Sequence, residues 1–125
     1  VLIGEVSQPE LALYQKASDA LIMYFPDKLH YREFMSPMKM FEYMASNRPI
    51  ITSDLPSVRD VLNEQNAFFV PPQKPSVLAH AIKSILSDPV EAERRANLAY
   101  KKVTQEYTWA KKAERVHMFL SKVLK

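Results

Sequence analysis

With 125 residues, the chain has the length of one compact domain. Its 47% hydrophobic and 25% charged residues exclude a disordered chain; the lack of cysteine excludes disulfides and thiolate zinc sites and fits a reducing compartment. The net charge of +3 gathers toward the end, at Lys101, Lys102, Lys111, Lys112, Arg115, Lys122 and Lys125, a pattern that nucleic acid, an anionic membrane surface or a solvated helix face would each fit, the last being the ordinary case.

The chain opens with "VLIGEV", a short apolar run that reads as a strand and holds the only glycine, Gly4. It starts at Val1 without methionine, and it reads as a fragment of something longer. No apolar run approaches the roughly 20 residues of a membrane span. Ser7 and Glu10 stand at capping-box spacing, with Pro9 tolerated in the first turn of a helix that carries Leu11, Leu13, Tyr14 and Ala17. "DALIMYF" is a second strand, apolar throughout and so expected to be buried on both faces, and Pro26 ends it. From Pro26 to Met35 there is no clean period, which reads as a loop.

"SPMKMFEYMA" is a helix, with Ser36 as its cap and Pro37 in its first turn, where the missing N–H costs nothing. Met38, Phe41, Ala45 and Met44 are expected on its sheet-facing side. "RPIITSD" is a third strand. Ser57 would cap a brief helix, "VRDVL", and "AFFV" is a fourth strand closed by Pro71 and Pro72. Three amphipathic helical patterns follow, over about 76–86, 90–107 and 109–124. The second has Ala92, Ala96, Ala99, Val103 and Tyr107 on one stripe. The third has Ala113, Val116, Leu120 and Val123 inward. Strands that alternate with helices predict α/β architecture, a Rossmann-like parallel sheet flanked by helices, in one domain over 1–125. Such a sheet collects ligands at its C-terminal edge.

Two residues of the central helix ask for an explanation beyond packing. Lys39 stands in the first turn, where the helix dipole disfavours a cation. A phosphate at that end, met by the N–H groups of Met38 and Lys39, removes the conflict; a lysine that swings into water also would. Glu42 lies one turn beyond Met38, at the flank of the apolar face. A sugar diol would supply the donors that a carboxylate there needs, as would a salt bridge or an open rim. The histidines His30, His80 and His117 have no metal-ligand spacing, and a glycine-rich phosphate loop is absent.

The stretch "SPMKMFEYMASNRPIITSDLPSVRDVL" resembles the C-terminal domain of retaining, GT-B-fold nucleotide-sugar glycosyltransferases of family 4. The flanks "GEVSQPELALYQKASDALIMYF", "NAFFVPPQKPSVLAHAIKSILSDP" and "YTWAKKAERV" agree with it. The resemblance implies the C-terminal half of a two-domain enzyme, with the N-terminal domain and the first strands of this domain absent. Glu42 matches the family glutamate that holds the donor ribose. Pro37, Met38 and Lys39, beside Ser36, match the helix start that lies along the donor phosphates.

The other glutamate of the family motif aligns with Phe34, one place beyond Glu33, and the usual Gly-Phe-Gly is "MSP" here, which leaves the sugar open. The usual glycine after the motif is Asn47, a residue suited to a left-handed helix end. The implied reaction is front-face transfer with retention from a nucleotide-diphosphate sugar, independent of metal and of any cofactor. The implied setting is cytoplasmic, with peripheral contact at the inner face of a membrane and no nucleic acid. The isolated chain is expected to be inactive. Its last helix, which in this fold crosses to the other domain, would seek cover for Trp109, Phe119 and Leu120 on the sheet or on a second copy. A non-catalytic α/β interaction module is the alternative; a receiver-like module would need an acidic cluster that Asp19 and Asp54 do not make.

Overall fold

The computed structural model describes residues 2–124; Val1 and Lys125, the first residue of the expected opening strand and the last of the basic tail, lie outside them. The elements run α1 (Gln8–Ala17), β1 (Leu21–Met23), α2 (Leu29–Glu33), α3 (Met38–Ala45), β2 (Ile50–Ser53), α4 (Pro56–Arg59), β3 (Phe68–Val70), α5 (Pro75–Ser87), α6 (Pro89–Glu106) and α7 (Trp109–Val123). The sheet is three-stranded in the order β1-β2-β3, and both pairings are parallel, with Ile22 opposite Ile51 and Thr52 opposite Phe69. The α/β architecture with a parallel sheet is therefore as expected from the alternation of patterns.

The central strand explains why the sheet holds. Successive side chains of β2 point to opposite faces, and both faces are covered. Ile50 joins a core with Met23, Met40, Met44, Leu55, Val58, Leu62, Ala99 and Val103. Ile51 joins a second core with Val70, Ile85 and Ala92. Thus α3, α4 and the later turns of α6 lie on one face, while α5 and the first turn of α6 lie on the other. The alanine stripe of α6 is buried as expected, and its small side chains let the helix approach α3 closely.

Several expectations fail for physical reasons. Leu2–Val6 form no strand: no neighbouring strand offers them a ladder among the described residues, and Gly4 sits at φ +86. The sheet accordingly has three strands, not four. The strand β1 is buried only at Leu21 and Met23, because it is a sheet edge and Ile22 is left uncovered. On α1 the capping box is present: the Glu10 carboxylate accepts from the Ser7 N–H (2.9 Å) and Oγ (2.6 Å). Leu13 and Tyr14 of that helix are nevertheless exposed, and Gln15 is buried instead. The presumed loop 26–35 contains α2, held by Phe25 stacked on Tyr31 at 5.4 Å.

Neither expected serine cap forms after that. Pro37, not Ser36, is the cap residue of α3, and Leu55, not Ser57, that of α4. Ser57 lies inside its helix, where its Oγ donates to the Tyr31 carbonyl at 2.5 Å. On α3 the fully buried residues are Met40 and Met44, spaced one turn apart, whereas Met38 and Ala45 are exposed. The inward face is rotated from the expected one because α6 as well as the sheet covers this helix. Finally, α7 forms over the expected range but buries none of its residues.

Candidate functional site

The C-terminal edge of the sheet is braced by short polar ties. Ser53 Oγ, at the end of β2, accepts from the Phe25 N–H (2.7 Å) and donates to the Phe25 carbonyl (2.8 Å). Tyr24 Oη accepts from the Lys74 N–H at 2.7 Å, which fastens the turn after β3 to the end of β1. Beside them Arg59 forms ion pairs with both Asp54 and Glu64 and lies over the Phe69 ring at 4.4 Å. Hydrogen bonding by Arg59 holds the Asp54 carboxyl below its ordinary range. None of these ties was read from the sequence. Asp54 followed five residues later by Arg59 is the only signal that could have suggested this clamp.

Above this braced edge stands the start of α3. The N–H of Met40 donates to Pro37 O at 3.0 Å, whereas the N–H groups of Met38 and Lys39 make no backbone hydrogen bond among the described residues. They are the free donors of a helix start. Ser36, Met38 and Lys39 are exposed, Pro37 is half-buried, and Lys39 makes no ion pair among the described residues. Phe34, at the place of the family's other glutamate, is exposed, and Glu33 beside it lies 3.8 Å from Arg32.

Glu42 is half-buried one turn below Met38, so the exposed Met38 and Glu42 share one flank of α3. That flank faces α1 across a groove of about 200 Å³ lined by Gln8, Leu11, Ala12, Gln15, Lys16, Glu42, Ala45 and Ser46. The Glu42 carboxylate makes no hydrogen bond or ion pair there among the described residues. Burial pushes the neighbouring Tyr43 phenol above its ordinary value, and the Glu42 charge adds to it. The residues singled out in the sequence thus fall on one continuous strip, from the free N–H groups at the sheet's C-terminal edge down to a carboxylate in an open groove. Gln15, on the opposite wall, was missed. Its signal was a polar residue one turn after Leu11 on the same side of its helix.

A larger cleft of about 890 Å³ lies at the other end of the sheet, where Asp19 and Pro49 lead into β1 and β2. Size does not make it the site. It lies beneath the strands' N-terminal ends; the helix start that lines it, that of α6, is already capped by Asp88, whose carboxylate accepts from the Glu91 N–H at 3.0 Å, and parallel sheets of this kind bind at the opposite edge. At its floor Asn47 holds φ 56, the left-handed helix end expected of it.

Residues 1–88 match the family described as glycosyl transferases, group 1. Glycogen synthase of Mycobacterium tuberculosis, in strains CDC 1551 and H37Rv, is 29% identical over 108 residues, which cover 86% of this chain and 25% of the relative. Among solved structures, sucrose-phosphate synthase from Thermosynechococcus elongatus superposes with a TM-score of 0.80 at 24% identity, covering 99% of this chain and 30% of that one. Alr3699/HepE from Anabaena, solved in complex with UDP-glucose, gives 0.74 at 16% identity, over 87% of this chain and 29% of that one. The C-terminal domain of a group 1 glycosyl transferase, LpcC from Francisella tularensis, gives 0.65 at 20% identity, over 86% and 53%. The chain therefore spans about a quarter of the curated relatives it matches.

Proposed function

The chain belongs to the glycosyl transferases of group 1 and has the fold of a GT-B C-terminal domain, and we propose that it is the donor-binding part of a retaining, family 4 enzyme. Its ligand is a nucleotide-diphosphate sugar. The observation that carries this reading is the strip on α3: free N–H groups and Lys39 at the helix start, and an unpartnered carboxylate one turn below on the open flank. A diphosphate suits the first, because the positive helix end and its unpaired donors favour an anion. A ribose diol suits the second, because two hydroxyl groups donate to a carboxylate that can only accept. Alr3699/HepE, which superposes on this chain, is known in complex with UDP-glucose and with UDP, and a uridine nucleotide is the first donor to try.

In this reading the chain's own residues bind and orient. The donor's phosphates lie along Pro37, Met38 and Lys39, and the Glu42 carboxylate fixes the ribose. As the sugar departs with its configuration retained, negative charge builds on the leaving diphosphate. The α3 dipole, its N–H groups and the Lys39 ammonium stabilise that charge without further rearrangement. The acceptor belongs to another part of the protein.

The test is Glu42→Gln in the full-length protein, with donor titration and thermal melting measured side by side. Hydrogen bonds to a charged acceptor are worth about 1.5–3 kcal/mol, so donor affinity falls roughly 10- to 100-fold while the melting temperature hardly moves. Unchanged affinity with a large loss of melting temperature would make Glu42 a structural residue.

A further inference from the structure

The buried polar side chains Ser46, Thr52, Ser53, Ser57 and Asn66 each hydrogen-bond to a backbone group. Gln15 is the exception. It is only 7% exposed, and its carboxamide makes no hydrogen bond among the described residues. Its amide atoms are not sealed in; they open on the groove whose other wall carries Glu42.

The amide has no protein partner to give up, and it lines the same groove as Ala45 and Ser46 one turn after Leu11. An amide that meets only groove water can exchange that water for a polar group of a ligand. Side chains on a helix lean toward its N-terminus. Gln15 therefore leans toward the turn of Leu11 and Ala12, along the groove that it shares with Glu42.

The two groups are chemically complementary toward one kind of ligand. The carboxylate of Glu42 accepts only, whereas the Gln15 carboxamide donates two hydrogens. A ribose hydroxyl donates one hydrogen and accepts at its oxygen, so it satisfies a carboxylate and an amide together. We propose that Gln15 is a second ribose-reading residue of the donor site: its amide donates to the oxygen of a ribose hydroxyl whose proton goes to Glu42. The inference rests on the reading of Glu42 given above, and it adds that the groove distinguishes a ribonucleotide from its deoxy counterpart through α1.

The experiment titrates UDP, ADP and GDP, each with its 2′-deoxy and 3′-deoxy forms, into the full-length protein and its Gln15→Leu variant. The wild type is expected to prefer the ribonucleotide. In Gln15→Leu the affinity for that ribonucleotide falls about three- to tenfold, while at least one deoxy form binds as before, so the preference shrinks. Melting temperature is expected to hold, because the amide has no protein hydrogen bond to lose. Gln15→Met, unbranched and near in volume, gives the same readout should the branched side chain disturb packing. An unchanged preference, or a fall in melting temperature in both variants with affinity intact, overturns the proposal and makes the amide structural. If Gln15→Leu is silent while Glu42→Gln weakens binding, only the role of Gln15 falls. If Glu42→Gln also binds every nucleotide like the wild type, both readings fall.

Discussion

The helices α6 and α7 carry the same kind of amphipathic pattern and meet opposite fates. The stripe of α6, Ala92, Ala96, Ala99 and Val103, is buried against α3 and the sheet. On α7, Trp109 is 72% and Phe119 64% exposed, and Val116, Leu120 and Val123 are open too. The difference lies in what stands opposite. Alanines let α6 come close to a helix that is already anchored on the sheet by Met40 and Met44. The large apolar side chains of α7 need a broad facing surface, and the described residues provide none. A period of 3.6 says that a face exists; it does not name the surface that covers it. Trp109 instead lies near Lys112, whose ammonium sits 5.1 Å from the ring centroid, and Arg115 reaches back over Tyr107.

The sharpest way to break this contrast is to truncate one apolar residue on each side. Met44 is fully buried at the join of α3, the sheet and α6. Met44→Ala is expected to cost about 2–5 kcal/mol, from lost transfer energy and the cavity left behind. Phe119→Ser on α7 is expected to stay within about 0.5 kcal/mol, as exposed substitutions do. Equilibrium urea unfolding of both variants against the parent chain reads the difference. Comparable losses would mean that α7 is packed in solution and that the two helices are alike after all.

The same contrast explains what was legible in the sequence. The parallel strands at "LIM", "IITS" and "FFV" could be read because β2 is covered on both faces by elements inside the chain. The α6 stripe could be read because its partner, α3, lies within the same chain. What failed depends on surroundings. The rotated face of α3 could not be read, because α6 covers it from a direction that no local pattern encodes. Neither could the caps of α3 and α4, because Ser36 stands one place before the cap residue Pro37 and Ser57 lies inside its helix, bonded to Tyr31, with Leu55 at the cap; nor could the opening strand, which has no ladder partner among the described residues. The short α2 is held by a ring stack between Phe25 and Tyr31 rather than by periodicity. At the candidate site, Ser36–Lys39 and Glu42 could be singled out because a cation at a helix start and a lone carboxylate beside an apolar face are local anomalies. Gln15 was passed over because its oddity appears only once α1 and α3 stand side by side.

Acid should separate the packed region further. Glu91, in the first turn of α6, accepts from Arg94 and Arg95, and these hydrogen bonds lower its carboxyl from 4.5 to about 2. Arg95 also donates to the Ala67 carbonyl at 3.0 Å and lies over Phe68 at 4.2 Å, so the carboxylate helps tie α6 to β3. The folded value lies below the unfolded one. The stabilisation is therefore complete above about pH 4.5 and is lost as pH falls toward about 2. The effect is smaller than that of Met44→Ala because the pair is exposed and screened. Urea midpoints at pH 6 and pH 3 test it. Glu91→Gln should lower the midpoint at pH 6 and lessen the drop between the two pH values. An identical drop in the variant would assign acid sensitivity to other carboxylates.

The smallest expected effect divides α3 itself, between its buried side and its open flank. Lys39 is exposed, makes no ion pair among the described residues, and stands beside free N–H groups at the positive end of the helix. In the unliganded protein that placement is mildly unfavourable, by about 0.3–1 kcal/mol at low ionic strength. Lys39→Met should therefore leave urea stability unchanged or slightly raised, the opposite sign from Met44→Ala five residues away. With a nucleotide diphosphate bound, the sign reverses. On the proposed reading the ammonium then faces the phosphates in a partly desolvated site, where a point charge keeps more of its value than in water. Donor affinity of Lys39→Met in the full-length protein should fall at low salt. The gap from the wild type should narrow as salt rises, because screening has already weakened the term that the mutation removes. Titrating both proteins at low and high ionic strength reads both effects. Equal affinities at low salt would make Lys39 a solvated surface lysine and leave the N–H groups of Met38 and Lys39 to meet the phosphates without its charge.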